Sequence, residues 1–593
     1  MKEARISNEI MEKKEDGSSE PKHRGVKTIK FIIGNETIER LGTLGTSTNL
    51  LLYLTSVFNL SNFTAQNVIN IFNGTCNFAT LIGAFLSDTY FGRYKTVGVA
   101  SFSTFMGLFA LTLTAAITRL HPPKCESHDG SHCDGPTAGQ LTFLITCFGF
   151  LAVGAGGIRP CNMTFGADQF DPNTDSGRKG LNSFFNWYYF SIVFAMMVSL
   201  TVIVYVQTNV SWAIGLAIPS LLMLCACILF FSGSKLYVKT IPDHSPIKTM
   251  AQVIVSAIKK RRLMLPEEPQ ISMHNHIPPN STYSRLPYTN QLRFFNKAAI
   301  ISRDDEINSD GSASNPWRLC TIQEVEGVKC VIKVIPVWFA CAIYFIIQIQ
   351  MSTYGIFQAV QSDRRVIPSR KLQIPGATYF AFAMLALTIW IPIYDQIILP
   401  KARKITKTED GISMLQRLGF GFFLAIITMV IAALVENKRR YIAITQPTLG
   451  FEPTKGGISA MSSYWLVPQY ALAGISEGFS IIGQIEFYYK QFPEHMRSFG
   501  GAFLYCGFAL SGYLNSVIVS TAHRITKNAK SGNWVAEDLN KGRLDYLYYL
   551  IAILQFLNFV YFVVIAKWYK YKVVETKTQE EKADEVNQSD HTV

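Results

Sequence analysis

Charge is scarce in this chain. Only 16% of its 593 residues are Asp, Glu, Lys or Arg, whereas soluble domains usually carry about 25%. That shortage argues against a string of soluble domains. Catalytic signatures are missing too. There is no Walker-type GxxxxGKS or GxxxxGKT loop, which speaks against ATP-driven work, and no HExxH. GAGG at 154–157 is not a GxGxxG fingerprint, and no strand pattern precedes it. No enzyme, no metal and no cofactor are expected. No secretory leader is expected either. The first thirty residues are polar and mixed in charge, so the first apolar helix must itself be the insertion signal.

Apolar residues are what the chain has. It is 49% hydrophobic and 13% aromatic, and long apolar runs recur along nearly its whole length. About 20 apolar residues suffice to cross a bilayer as a helix. Twelve such spans are expected, at 31–58, 66–90, 95–119, 140–164, 183–207, 212–231, 327–357, 373–394, 414–435, 463–489, 498–521 and 544–568. The predicted organisation is a tail (1–30), a six-helix bundle (31–231), a polar linker (232–326), a second six-helix bundle (327–568) and a tail (569–593). The two halves suggest pseudo-symmetric bundles with a site between them.

The formal charge of +13 does not imply nucleic acid. The basic residues cluster in short loops and tails beside apolar runs, as the positive-inside rule requires. GRYK after span two, the linker and KARKITK after span eight put both termini and the linker in the cytoplasm. ENKRR (436–440) reads as an outer loop and disagrees, with Lys438, Arg439 and Arg440. Within the linker, 248–262 is apolar on one face and basic at its end. It predicts an amphipathic helix along the inner membrane surface, with a calmodulin-binding helix as the sharper alternative. Residues 266–316, rich in Pro, Ser and Asn, read as flexible.

Charges inside spans are few and informative. Glu36, Glu39 and Arg40 share one face of the first helix through their i, i+3, i+4 spacing. A charge near the bilayer centre costs about 2.5–3.5 kcal/mol, so these groups should face a bundle interior or a water-filled path. Arg159 ends LAVGAGGIRP in span four, and Glu477 lies in span ten. A pair between them would lock the two halves, and breaking it would let them rock apart. Arginine keeps its proton, so a transferred proton must land on Glu36, Glu39 or Glu477. Lys329 and Lys333, at the inner end of span seven, are explained by snorkelling.

The aromatic residues Trp187, Tyr188, Tyr189, Trp338, Tyr344, Tyr354 and Trp465 read mostly as core or interface belt. Tyr344 and Trp465 are kept as candidate stacking surfaces for a ligand. Cys125 and Cys133, close together in a polar loop on the expected outer side, are a candidate disulfide. With His121, His128 and His132 they match no standard zinc spacing. Asn59 (NLS) and Asn62 (NFT) are candidate glycosylation sites.

These motifs resemble a known family. ETIER (36–40) resembles the ExxER/K motif of proton-dependent oligopeptide transporters. FGADQFD (165–171) is similar to their FGxDQF signature, and FFNWYYF (184–190) to the fifth-helix signature that follows. DTYFGRYKT (88–96) resembles the loop between helices two and three of the major facilitator superfamily. The usual glycine four residues before that aspartate is Ala84 here, with Gly83 beside it. GGIRPC and the long linker point to the plant nitrate/peptide transporter family. NETIERLGTLGTSTNLLLYLTSVF and QFPEHMRS resemble the subfamily that holds glucosinolate transporters and low-affinity nitrate transporters.

The resemblance implies an all-α major facilitator fold with twelve transmembrane helices in two six-helix bundles. It implies proton coupling by Glu36, Glu39, Arg40 and Glu477, and substrate binding by Arg159, Gln348 and Glu477, to which Tyr344 and Trp465 are added as the aromatic candidates. Gln348 stands where a dual-affinity nitrate-transporting relative has a nitrate-binding histidine, which suits a larger hydroxylated ligand. Thr96 matches a regulatory phosphosite, so a kinase is a candidate partner. The expected function is proton-coupled import of a glycosylated or anionic specialised metabolite, with glucosinolates first and cyanogenic or other glucosides next. Low-affinity nitrate transport is the alternative, and a receptor signalling without net flux is the alternative of another class. Protons are the coupling ion, a small molecule and the lipid bilayer are the partners, and the state is a monomer or weak homodimer. The plasma membrane is the expected location, with the vacuolar membrane second.

Overall fold

The structure is a computed structural model. It describes residues 25–123, 134–170, 184, 188, 191–192, 194–239, 246–266, 273–276, 286–366, 373–407, 412–452, 456–493, 497–529 and 532–571. Cys125, Cys133, His128, His132, Asp171, Trp187 and Tyr189 lie outside the described residues.

Helices make up almost all of it, because a lipid-exposed backbone must satisfy its own hydrogen bonds. Helix α1 is Gly25–Ser56. Helix α2 is Asn62–Leu86 and continues into a π-turn, Ser87–Phe91. Helices α3 (Arg93–Ala116), α4 (Ala138–Ala167), α5 (Phe194–Asn209) and α6 (Trp212–Ser232) follow. The linker carries α7 (Pro246–Lys259). One apolar stretch, Ile322–Val360, is broken into α8 (Ile322–Tyr344), α9 (Ile346–Ser352) and α10 (Tyr354–Val360). Then come α11 (Phe380–Ile393), α12 (Met414–Thr445), α13 (Val467–Gln491), α14 (Arg497–Thr526) and α15 (Leu544–Trp568). Among the described residues, nine helical stretches are long and apolar enough to cross a membrane. Helices α1, which carries Glu36, Glu39 and Arg40, and α13, which carries Glu477, fall outside that group.

The chain divides into two compact units. The first comprises 1–49, 82–121 and 138–242; the second comprises 50–81, 122–137 and 243–593. The first unit ends at 242, inside the linker. The beginning of α2, however, belongs with the second unit. There the Asn62 amide donates to the Glu537 carbonyl at 2.9 Å and the Asn67 amide to the Ser520 hydroxyl at 3.3 Å. Gly512 leaves room for the Asn70 carbonyl.

In the first unit α3 and α4 pack through small residues. A Cβ on Gly154 would strike Thr104, and one on Gly157 would meet Ala100. Pro160 has no N–H to give to the Gly156 carbonyl. Gly83 on α2 lies against that same carbonyl, where no side chain fits. The close approach thus uses Gly83, and Ala84 does not need to be glycine. Arg93 holds Asp168 at 2.6 and 2.5 Å to its two oxygens. Beside them Phe165, Phe184, Tyr188, Phe230 and Tyr237 form a buried aromatic cluster, which makes Tyr188 core and not a ligand surface. Aromatic pairs of this kind add about 0.5–1.5 kcal/mol beyond area burial.

In the second unit, Gly421 of α12 admits the Ser476 carbonyl and Ser480 of α13. Residues 436–440 are not a loop. Helix α12 continues through them to Thr445. Arg439 is fully buried and donates to both Glu436 oxygens at 2.8 Å. It also donates to Asn540 Oδ1 at 2.8 Å and to the Gln361 carbonyl at 3.3 Å. An arginine locked in a fold gives no vote on topology, which leaves only Lys438 and Arg440 of the three basic residues in conflict with the other loops.

The linker also departs from expectation. Helix α7 buries Val253 and Ala257. Ser256 donates to the Ala298 carbonyl at 3.3 Å, and Lys260 pairs with Asp305 at 2.7 Å. Its inner face is therefore covered by the 293–320 segment and not by lipid. That segment, read as flexible, forms a folded layer with β-bridges at Met273–Ile300 and Ile307–Ala313. Burial works against the Asp305 carboxylate, yet Lys260 and Ser302 hold its pKa below the ordinary value.

Candidate functional site

The charged face of α1 lies inside the first unit. Arg40 Nε donates to Glu36 Oε1 at 2.8 Å and approaches Glu39 Oε2 at 3.7 Å. Glu36 is fully buried and Glu39 is 6% exposed. The Glu36 carboxylate also accepts from the Asn162 amide on α4. Thr43, one turn after Glu39, donates to Glu39 Oε1 at 3.1 Å. Arg159 acts electrostatically on Glu39. One group thus forms from Glu36, Glu39, Arg40, Arg159 and Asn162. Asn162 was overlooked in the sequence. Its only signal was the i+3 spacing from Arg159, which puts both on one helical face.

In the second unit, α8, α9 and α13 collect Tyr344, Gln348 and Glu477. The helix break between Tyr344 and Ile346 turns the chain at this point. Tyr344 is fully buried, stacks on Phe422 at 5.2 Å and shares a 3.1 Å hydrogen bond with the Ser476 hydroxyl. Gln348 Nε2 donates to the Ala473 carbonyl at 3.4 Å, while its Oε1 is buried without a donor. Glu477 Oε2 is likewise buried without a donor, and its charge is felt at Tyr344. Buried polar atoms normally find a partner, so each of these two orphaned acceptors marks a place open to ligand, water or proton.

The sequence GISEG at 474–478 spells a nucleophile-elbow pattern around Ser476. The structure denies it that role. Ser476 is in mid-helix, and its hydroxyl donates to the Gly421 carbonyl at 2.8 Å. A strand-to-helix turn, which the elbow requires, is not there.

Other candidates fall elsewhere. Trp465 is 52% exposed on the turn before α13, with Lys438 Nζ 3.9 Å from its ring centre. It does not join Tyr344. Asn62 is buried with its amide engaged, so it offers no glycan attachment point. The Asn59 amide is tied to the carbonyls of Pro123 and Asp134, both at 3.1 Å. Thr96 is half-buried, and its hydroxyl donates to the Gly92 carbonyl at 3.0 Å. His121 holds the Thr114 carbonyl at 2.9 Å. Lys329 does not snorkel. It is fully buried against Glu326 at 2.7 Å.

Comparison with known proteins agrees with this architecture. Residues 94–535 match the family model PTR2, the POT family. Protein NRT1/ PTR FAMILY 2.11 of Arabidopsis thaliana is 52% identical over 573 residues, covering 96% of this chain and 93% of its own length. Protein NRT1/ PTR FAMILY 2.9 of the same plant is 52% identical over 566 residues, covering 95% of this chain and 96% of its own. Among solved structures, the crystal structure of an auto-inhibited POT family peptide transporter superimposes with a TM-score of 0.67 at 20% identity. It covers 93% of this chain and 98% of that one, and it speaks for the fold alone. The chain therefore belongs to the POT family of multi-pass membrane transporters, all-α proteins of the major facilitator fold, and is not an enzyme.

Proposed function

We propose that this protein is a proton-coupled symporter for a glycosylated or anionic specialised metabolite, working by alternating access at the plasma membrane. Glucosinolates are the first substrate to try, and cyanogenic or other glucosides the next. The observation that carries this reading is the pair of orphaned acceptors, Gln348 Oε1 and Glu477 Oε2, beside the Tyr344 hydroxyl. Acceptors call for donors, and a sugar is rich in hydroxyl donors. Nitrate only accepts hydrogen bonds, so it suits this group less well. Proton uptake fits Glu477, a carboxylate with an oxygen that nothing else occupies. Glu36 and Glu39, with Arg40, provide the second carboxylate group.

The test is uptake and current in oocytes at acidic external pH. The panel holds a glucosinolate, a cyanogenic glucoside and nitrate, each with and without an uncoupler. Inward current with glucoside accumulation that the uncoupler abolishes supports the reading. Nitrate current alone overturns the substrate class. Binding without flux, despite surface expression, overturns transport in favour of a receptor.

A further inference from the structure

A cavity of about 500 Å³ opens where the linker meets the cytoplasmic ends of α8, α13 and α15. Its walls include Asn290, Lys333, Gln491, Lys570 and Tyr571. Nothing in the transport reading uses it. From these residues we infer a binding site for a phosphate group carried on a polyol, as in the headgroup of an inner-leaflet phosphoinositide.

The rim is built, not incidental. Thr289 donates its amide N–H to Glu326 Oε1 at 3.0 Å and its hydroxyl to Oε2 at 2.7 Å. Lys329 bridges Glu326 Oε1 at 2.7 Å and the Thr289 carbonyl at 2.9 Å. Gln323 clamps Leu286 from both sides, accepting from its N–H at 2.9 Å and donating to its carbonyl at 3.2 Å. On the opposite wall the Tyr569 hydroxyl donates to Gln491 Oε1 at 3.1 Å. The linker segment 286–291 is thus pinned to α8 as one wall of the cavity.

The charge count favours an anion. Glu326 is the only carboxylate in the lining, and Lys329 with Thr289 satisfies it. Lys333 and Lys570 also line the cavity, and neither has a carboxylate within ion-pair distance among the described residues. Two lysines that line one hollow with no carboxylate partner among the described residues favour an anion there. Their point charges suit phosphate, and Asn290 and Tyr571 offer further hydrogen-bonding groups for ring hydroxyls.

Depth selects the source. Tyr569 to Tyr571 follow directly on Trp568, the last residue of α15, and Trp568 is 54% exposed. Tryptophan and tyrosine at a helix end mark the headgroup level of a bilayer. Anionic lipids of the cytoplasmic leaflet concentrate at that level and attract nearby lysines.

The test uses the full chain in nanodiscs and reads its melting temperature. Discs hold phosphatidylcholine alone, with a few per cent of a phosphatidylinositol phosphate, or with an equal charge of phosphatidylserine. A further arm adds soluble inositol trisphosphate to plain discs. A ligand that binds only the folded state raises the melting temperature. We expect the phosphoinositide discs to raise it and phosphatidylserine to do so much less. Lys333→Gln with Lys570→Gln should weaken the effect by about tenfold in affinity, and Lys259→Gln should leave it intact. A rise with the soluble polyol phosphate but not the lipid keeps the phosphate site and overturns the lipid source. Equal rises with phosphatidylserine, no rise in any arm, or full binding by the double variant would each overturn the site.

Discussion

Asn162 on α4 donates its side-chain amide to the Glu36 carboxylate on α1, and both residues are fully sealed from solvent. Glu36 is at the same time held by Arg40 at 2.8 Å. One oxygen faces a cation that cannot lose its proton, and the other faces a neutral donor. Two helices of the first unit are tied by this carboxylate. Any step that protonates it loosens the tie.

Asn162→Ala is therefore expected to damage coupling more than binding. Leaving a buried acceptor without its donor costs about 1–3 kcal/mol. A loss of about 1.4 kcal/mol corresponds to a factor of about ten. Accumulation driven by a pH gradient should fall by about that factor. Exchange of labelled for unlabelled substrate, which needs no net proton movement, should persist. If accumulation and exchange fall together, Asn162 serves the fold and not the coupling.

Glu477→Gln and Glu36→Gln should part company. Glu477 Oε2 has no donor to lose, so neutralising it leaves the fold intact and removes a proton acceptor. Gradient-driven accumulation should disappear while the melting temperature stays within the range of silent substitutions. Glu36→Gln removes the nearest carboxylate from Arg40, leaving Glu39 at 3.7 Å, and breaking a buried pair costs about 3–5 kcal/mol. That variant should lose melting temperature and surface expression as well. Equal thermal losses in the two variants would sink the distinction.

How much of this was legible in the sequence follows from what spacing can encode. Charges on one helix were readable. Glu36, Glu39 and Arg40 share a face because of i, i+3, i+4 geometry, and the pair at 2.8 Å is the result. Helix positions were readable from apolar runs, and α15 (Leu544–Trp568) coincides with its expected span. Partners on other helices were not. Nothing in the spacing of Glu36 announces Asn162, which is 126 residues away. Local charge density also misled. ENKRR looks like a loop because it is polar, yet Arg439 finds Glu436 one turn back and is buried. Lys329, near a span end, looks like a snorkelling lysine for the same reason, yet Glu326 one turn away holds it buried. A polar group near a span end needs its partner identified before its depth can be guessed.

The linker layer should open in acid. Asp305 has a depressed pKa in the folded chain, with burial opposed by Lys260 and Ser302. A depressed carboxylate contributes stability above its unfolded pKa, about 3.9, and the contribution is lost as pH falls through the folded value. Cys320 lies under the same layer, and burial, with Glu324 nearby, pushes its thiol up to about 12. Labelling of Cys320 by dithiodipyridine, which reacts in acid, reports the opening. Protection is expected at neutral pH and loss of protection below about pH 3.9. Asp305→Asn should be labelled at neutral pH. Cys341, buried in α8, serves as the control that the helices persist. Labelling of Cys320 that is the same at every pH would remove Asp305 from the support of the layer.

Glu436 and Arg439 invite a double-mutant cycle. Both side chains are fully buried, and two of the Arg439 nitrogens are spent on Glu436. The remaining Nη1 contacts tie α12 to Gln361 and to Asn540. Gln361 in turn accepts from the Leu539 amide at 2.9 Å and donates to Asp538 at 3.1 Å. Arg439→Met leaves the Glu436 charge buried and alone, for which about 3–5 kcal/mol is the usual loss. Glu436→Gln leaves the guanidinium in the same position. The double variant removes both charges and keeps most of the volume, so it should recover much of the loss, as buried pairs replaced together by neutral groups often do. It should not recover all, because Asn540 and the Gln361 carbonyl still lose their donor. Thermal melting of the four proteins decides the matter. Losses that simply add would mean that the two residues act separately, and that Arg439 matters only through the segments it ties to α12.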